Sequence, residues 1–122
     1  MDKVWYNQLK KAPWTPPDYW FGIIWPILYT LMFISLYMVY NNRKALTLFV
    51  IQFLLNIIWT TIFFRLKMVK LALFDLTLLL FVVVMTIRVF YSINKFAAIL
   101  LLPYLLWLFV AFSLNLYIVI HN

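Results

Sequence analysis

The stretch YWFGIIWPILYTLMFISLYMVY, residues 19–40, decides the fold of this chain. It carries no charged residue, and a helix needs about 20 apolar residues to cross the hydrocarbon core of a bilayer. Three further predominantly apolar runs follow, at 45–64, 69–91 and 96–120. These runs are too long, and alternate too little, for the strands of a membrane barrel. The sequence therefore predicts an all-α integral membrane bundle of four transmembrane helices.

The composition agrees with a lipid environment. Of 122 residues, 68% are hydrophobic and 11% are charged, whereas soluble domains carry about 25% charged residues. A soluble fold of this size could not bury so much apolar surface. The length predicts a single domain, residues 1–122. The net charge of +7 does not indicate a nucleic-acid partner, because the basic residues flank the apolar runs, where they would contact lipid head groups.

The links between the four runs are short, so sequential helices should be antiparallel neighbours, with both termini on one side of the membrane. The basic residues expected on the side of the termini are Lys3, Lys10, Lys11, Arg65, Lys67 and Lys70, and those on the other side are Arg43, Lys44, Arg88 and Lys95. This small excess favours cytoplasmic termini.

Polar and aromatic residues share one face on each of three predicted helices. At 100° per residue the sets are Gly22, Trp25, Tyr29 and Met32 on the first, Gln52, Asn56, Trp59 and Phe63 on the second, and Tyr104, Trp107, Ala111 and Asn115 on the fourth. Amides in hydrocarbon need partners, so these faces should point into the bundle. Two interpretations stay open: the faces hold the helices together, or they line a cavity for a flat, mostly apolar ligand.

The chain offers few groups for catalysis or metal binding. It has no cysteine, and its one histidine is His121. It has no glutamate either, and Asp75 stands in the third predicted helix, where it would either close a helix contact or serve a function. No nucleophile–base pair or metal-ligand set can be identified. We therefore predict no catalytic or metal site.

Several segments together are similar to one family. They are WYNQLKKAPWTPP (5–17), WPILYTLM (25–32), NIIWTTIFF (56–64), LFD (73–75) and LPYLLWLFVAFSLN (102–115). In this order they resemble the TspO/MBR family, the tryptophan-rich sensory proteins and translocator proteins. The resemblance implies a helical bundle, often a homodimer, whose central pocket binds a porphyrin-type tetrapyrrole such as protoporphyrin IX or haem. It implies no required cofactor, and we expect a bacterial inner membrane location.

The resemblance also implies the pocket residues. Matching the family's motifs are Trp25 and Tyr29 (WxxLY), Asn56 and Trp59 (NxxW), Trp107 (PYLxW), and Ala111 and Asn115 after it, with Gly22 beside the entrance. Family members normally have five crossings, with one helix before the WYxxL segment, whereas the sequence given starts at that segment. Either the upstream start is missing or a four-helix form exists, and the pocket is expected to be open on one side or closed by a second subunit. The sterol-associated motif near the last helix lacks its basic residue, which favours a tetrapyrrole over a sterol.

The segment before the first helix, residues 1–18, is predicted to be a stiff interfacial strap. Pro13, Pro16 and Pro17 fix their φ angles and donate no backbone hydrogen bond. One hypothesis is a lid over the pocket, in which Trp14 covers its mouth and Lys10 and Lys11 approach the propionates of a porphyrin. The other is an interfacial linker anchored by its aromatic residues.

Other functions stay open at this level. A small four-helix multidrug exporter fits the length, but such transporters use a membrane-embedded glutamate, which is absent from this sequence. A light-dependent porphyrin-degrading enzyme would need a tryptophan as electron donor, and packing explains the tryptophans equally well. A structural subunit without a ligand is the fourth alternative. An electron-transfer haem protein is disfavoured because His121 stands at the chain end.

Overall fold

The protein is described by a computed structural model that covers residues 13–15 and 18–121. Its helices are α1 (Asp18–Val39), α2 (Arg43–Thr60), α3 (Val69–Ile93) and α4 (Lys95–His121), and a π-helical turn (Thr61–Arg65) follows α2. All four helices are long and apolar enough to cross a membrane, and the described residues include no strand. The predicted all-α bundle of four transmembrane helices is therefore confirmed, with boundaries that differ by one or two residues outside the π turn.

Asparagines in two of the predicted breaks cap the helices that follow. The Asn42 side chain accepts a hydrogen bond from the backbone N–H of Ala45 at 3.0 Å. The Asn94 side chain accepts from the backbone N–H groups of Phe96 at 3.0 Å and Ala97 at 3.4 Å. Such caps satisfy N–H groups that a helix leaves unpaired at its start. They allow very short links between helices at the membrane boundary.

The third break is built differently. After Thr60 the chain widens into the π turn, in which the Leu66 N–H donates to the Thr61 carbonyl at 3.1 Å. Lys67 then adopts a positive φ of 56°, a conformation that few residues other than glycine adopt. This residue reverses the chain into α3. The predicted break at Arg65–Met68 is therefore real, although the α-helix ends before it.

The helices of the bundle pack on one another to different extents. α3 packs closely on both α2 and α4, as expected for sequential neighbours. α1, however, packs mainly on α4, and its backbone approaches that of α2 at few points. α1 and α2 are therefore neighbours, as predicted, but side-chain contacts rather than close backbone packing join them. The space between these two helices is bridged by long side chains, which matters for the site.

The charged residues divide between the two ends of the bundle. Because consecutive helices alternate in direction, Arg43, Lys44, Arg88 and Lys95 lie towards one end, where α2 begins, α3 finishes and α4 begins. The start of α1, the π turn and the end of α4 share the opposite end, which carries both acidic residues of the described chain, Asp18 and Asp75.

Candidate functional site

A chain of hydrogen bonds crosses the middle of the bundle. The Tyr29 hydroxyl donates to Asn56 Oδ1 at 2.8 Å, and Asn56 Nδ2 donates to the Tyr104 hydroxyl at 2.8 Å. The Tyr104 hydroxyl donates to Gln52 Oε1 at 2.9 Å, and Gln52 Nε2 points at the sulfur of Met32 at 3.5 Å. These contacts join α1, α2 and α4. The polar faces predicted on the three helices therefore do meet inside the bundle.

A second polar contact lies nearer the end of the bundle that carries the π turn. Trp59 Nε1 donates to Asn115 Oδ1 at 3.0 Å, and Asn115 Nδ2 donates to the backbone carbonyl of Val69 at 3.0 Å. The Trp59 ring also stacks on Phe63 at a centroid distance of 5.4 Å. Asn115 thus joins α4 to both α2 and the first residue of α3. Both Trp59 and Asn115 are buried.

The buried amide side chains form their hydrogen bonds with other groups of the protein. Each of Asn56, Gln52 and Asn115 is buried and is held by partners from other helices. The physical reason is that the bilayer interior offers no water, so a buried amide gains most when another helix supplies its partner. These amides therefore fix the positions of the helices and of the aromatic rings attached to them.

Two tryptophans from different helices meet beside this network. Trp25 of α1 stacks on Tyr29 at a centroid distance of 5.6 Å and an interplanar angle of 30°. The same ring lies edge-on to Trp107 of α4 at 6.3 Å and 89°. Trp107 is 8% exposed, whereas Trp25 is only half-buried. Part of Trp25 is therefore exposed at the surface of the bundle, while Trp107 is enclosed.

The wide space between α1 and α2 is filled by further rings, which we call the aromatic seam: Tyr29 and Phe33 from α1, and Phe49 and Phe53 from α2. Tyr29 and Phe33 lie edge-on to Phe53 at 6.0 and 5.6 Å, and Phe49 stacks on Phe53 at 6.2 Å. The three phenylalanines were not predicted as site residues. Their spacing of four residues on each helix, which puts them on one face, was the available signal.

The two small residues of the predicted site have different surroundings. Gly22 lies on the side of α1 that carries Tyr29 and Phe33, and it is exposed. A Cβ atom added to it would meet nothing within 4 Å, so there is room beside it. Ala111 is buried one turn from both Trp107 and Asn115 on α4. Gly22 is thus exposed and Ala111 is buried, and the position of Gly22 beside an entrance stays a prediction.

The predicted lid is only partly described. Lys10 and Lys11 lie outside the described residues. Trp14 donates its indole N–H to Ser113 Oγ at 3.1 Å and lies edge-on to Tyr117 at 5.6 Å. Ser113 is two positions, about 200° around the helix, from both Ala111 and Asn115. The structure therefore seats Trp14 on the other side of α4 from the predicted ligand-binding face.

Asp75 is buried at 6% exposure on α3. Its Oδ2 atom accepts no hydrogen bond from any part of the chain that the structure describes. The same part of the chain holds no group of three or more histidine, cysteine or acidic residues that could bind a metal ion. The sequence prediction for Asp75 offered a helix contact or a function, and the burial of the carboxyl is compatible with both.

Four membrane-spanning helices whose tryptophan, tyrosine and amide side chains meet in the interior define a small helical membrane protein of the tryptophan-rich type. The model of the TspO/MBR family matches residues 1–121. The chain belongs to the TspO/MBR family, and the resemblance drawn from its motifs is confirmed.

Named relatives occur in all three domains of life. The chain is 36% identical over 125 residues to the tryptophan-rich protein TspO of Archaeoglobus fulgidus, a match that covers 98% of this chain and 81% of the relative. It is 35% identical over 119 residues to protein CrtK of Rhodobacter capsulatus, covering 92% and 74%. It is 34% identical over 119 residues to the human translocator protein, covering 91% and 70%.

Proposed function

We propose that this protein is a membrane receptor or carrier that binds a porphyrin-type tetrapyrrole, such as protoporphyrin IX or haem, against the aromatic group of α1 and α4. The observation that carries the proposal is Trp25, whose ring contacts both Tyr29 and Trp107 while the residue stays partly exposed. Membership of a family whose members are named as sensory and translocator proteins supports a receptor role.

The ring contacts suit a flat ligand. A tetrapyrrole presents a large apolar face, and offset or edge-on aromatic pairs contribute about 0.5–1.5 kcal/mol each beyond the area that they bury. The network of Tyr29, Asn56 and Tyr104 keeps the rings in place before the ligand arrives. A site arranged in advance loses less side-chain freedom on binding. Recognition would thus depend on ring stacking and on shape.

Gly22 supports the same position for the ligand. The space around the point that a Cβ atom would occupy is empty out to 4 Å, on the side of α1 that carries Tyr29. Pro26, one turn later in α1, has no N–H to donate to the Gly22 carbonyl, which leaves that carbonyl available as an acceptor. A porphyrin edge approaching beside Gly22 would therefore meet open space and a backbone acceptor, next to the Trp25 ring.

Titration with protoporphyrin IX tests the proposal. The purified protein in lipid nanodiscs is titrated while tryptophan fluorescence is recorded, because a bound porphyrin quenches nearby indoles. We expect saturable quenching, with affinity reduced roughly tenfold in Trp25→Ala and in Trp107→Leu, since each loses stacking area. The matched control is Trp20→Phe, which changes an exposed tryptophan of the same helix as Trp25. Quenching that does not saturate, or that all three variants alter equally, would refute the proposal.

Two finer parts of the proposal have their own tests. We infer a homodimer in a bacterial inner membrane, on the basis of the family resemblance. Light scattering of the nanodisc-free protein measures the mass of the oligomer, and fractionation of the host cell locates it. Proton-coupled uptake of a cationic dye into vesicles would instead support the multidrug exporter, and illuminated turnover of more than one equivalent of porphyrin would support the enzyme.

A further inference from the structure

A groove of about 640 Å³ opens between α2 and α3 at the end of the bundle opposite the acidic residues. The start of α2 supplies Arg43, Lys44, Thr47 and Leu48, and the last third of α3 supplies Met85, Arg88 and Val89. It shares no residue with the aromatic group proposed to bind a tetrapyrrole. Its function is therefore a separate question.

The charges on this groove all have one sign. Arg43, Lys44 and Arg88 line it from two helices. The acidic residues of the described chain, Asp18 and Asp75, lie towards the other end. Asp75 is 13 positions before Arg88 on α3, about 20 Å along the helix axis. No carboxylate of the described residues is therefore near enough to neutralise these cations.

The floor of the groove is apolar. Leu48 and Val89 are half-buried there, and Met85 is 54% exposed beside them. Arg43 and Lys44 stand at the start of α2 and Arg88 lies five positions before the end of α3, while Leu48 and Met85 lie further towards the middle of the bundle. A ligand that matches this order has an anionic head and at least one hydrocarbon chain.

Arg88 favours a phosphate as the anionic group of the ligand. It lies within α3, five positions before the helix ends at Ile93, and a cation at such a depth is costly unless it reaches a polar partner. A guanidinium group forms paired hydrogen bonds with a phosphate, which a lysine cannot reproduce with the same geometry. The phosphodiester of a lipid would satisfy Arg88 while its glycerol and acyl chain follow the apolar floor.

We propose that the groove between α2 and α3 binds one anionic phospholipid of the adjacent leaflet, with its phosphate held by Arg43, Lys44 and Arg88 and an acyl chain on Leu48, Met85 and Val89. Basic pockets between membrane helices are suited to such head groups. This inference does not depend on the proposed tetrapyrrole site, because the two share no residue.

Competitive lipid retention, measured by native mass spectrometry, tests whether the positive charges of the groove select an anionic lipid. The protein is released from mixed micelles that contain equal amounts of phosphatidylglycerol and phosphatidylcholine. We expect one retained phosphatidylglycerol per chain, and roughly fivefold less retention in Arg88→Gln. Lys95→Gln is the matched control, because it removes one positive charge from the same end of the bundle without touching the groove. Equal retention of the two lipids, or equal losses in the two variants, would overturn the proposal.

A second pair of variants tests the apolar floor without changing charge. Val89→Trp fills the groove and should reduce phosphatidylglycerol retention severalfold, whereas Val84→Trp adds the same ring at an exposed position of the same helix and should leave retention unchanged. Adding inorganic phosphate should not displace the lipid, since phosphate has no acyl chain. Retention unchanged in Val89→Trp, or displacement by phosphate alone, would mean that no lipid chain occupies the groove.

Discussion

The indole ring of Trp25 meets the indole ring of Trp107 edge-on, with centroids 6.3 Å apart and planes at 89°. These residues are 82 positions apart in the chain (107 minus 25), on α1 and α4. An edge-on pair directs the positive edge of one ring at the negative face of the other. The contact therefore restricts the orientation of Trp25 and determines which part of its ring is left for the proposed ligand.

The central hydrogen-bond chain should stabilise the bundle measurably. Tyr104→Phe removes a hydroxyl that accepts from Asn56 and donates to Gln52, which leaves two buried amides incompletely paired. We expect a loss of about 1–2 kcal/mol in the free energy of unfolding in detergent. The control is Tyr37→Phe, at a side chain that is 77% exposed. Equal stability of the two variants would show that the chain of hydrogen bonds contributes little.

Gly22 allows the size of the proposed entrance to be varied without disturbing the fold. Gly22→Leu should fold normally, because a Cβ at this position meets nothing within 4 Å and the helix gains up to about 1 kcal/mol over glycine. It should weaken protoporphyrin binding by blocking the space beside Trp25. Gly22→Ala is the small-side-chain control and should retain binding. If the leucine variant binds as well as wild type, the ligand does not enter beside Gly22.

Asn115 should control the local stability of the start of α3. In Asn115→Leu the Val69 carbonyl loses a hydrogen bond from α4, and Trp59 loses its acceptor there. We expect faster amide hydrogen exchange over the π turn and the first turn of α3, measured by mass spectrometry. Leu116→Ala, at an exposed position next to Asn115 on α4, is the control. Exchange rates that stay the same in Asn115→Leu would contradict this role.

The lid hypothesis has two parts that can be tested separately: anchoring of the strap by Trp14, and attraction of the ligand by the charges of Lys10 and Lys11. Replacing Trp14, Lys10 and Lys11 together by alanine should weaken porphyrin binding if the strap covers the site. Because Trp14 contacts Ser113 and Tyr117, the single change Trp14→Ala should mainly loosen the strap. The double change Lys10→Ala with Lys11→Ala should reduce affinity in a salt-dependent way, since it removes charges that would face propionates. Unchanged affinity in the triple variant would exclude the lid.

The sequence predicted the features that lipid imposes directly. The four spans follow from the thickness of the bilayer, and the polar faces with Asn56 and Asn115 follow from the need of amides for partners. The separation of α1 from α2 could not be read in the same way. It depends on which helix offers the best packing surface, and a short link between Val39 and Arg43 restricts only the ends of the helices.

The hydrogen-bond partners within the site could not be predicted from the sequence either. Helical periodicity put Tyr29, Asn56 and Tyr104 on inward faces, but it contains no information on the relative heights of the helices. Those heights decide that Asn56 bonds both tyrosines, while Asn115 bonds Trp59. The phenylalanines of the aromatic seam were missed because their four-residue spacing, on helices whose other faces are also apolar, does not distinguish an inward face from a lipid-facing one.

The packing of α1 on α4 has a consequence for biosynthesis. The ribosome makes α1 before α4, and at about 5–20 residues per second α1 waits on the order of ten seconds for its main partner. During that time it stands in the bilayer beside α2, which its backbone approaches at few points. Assembly of the bundle is therefore completed only when α4 is inserted. A chain interrupted before Lys95 would leave α1 without its main packing partner, and quality-control proteases would recognise it.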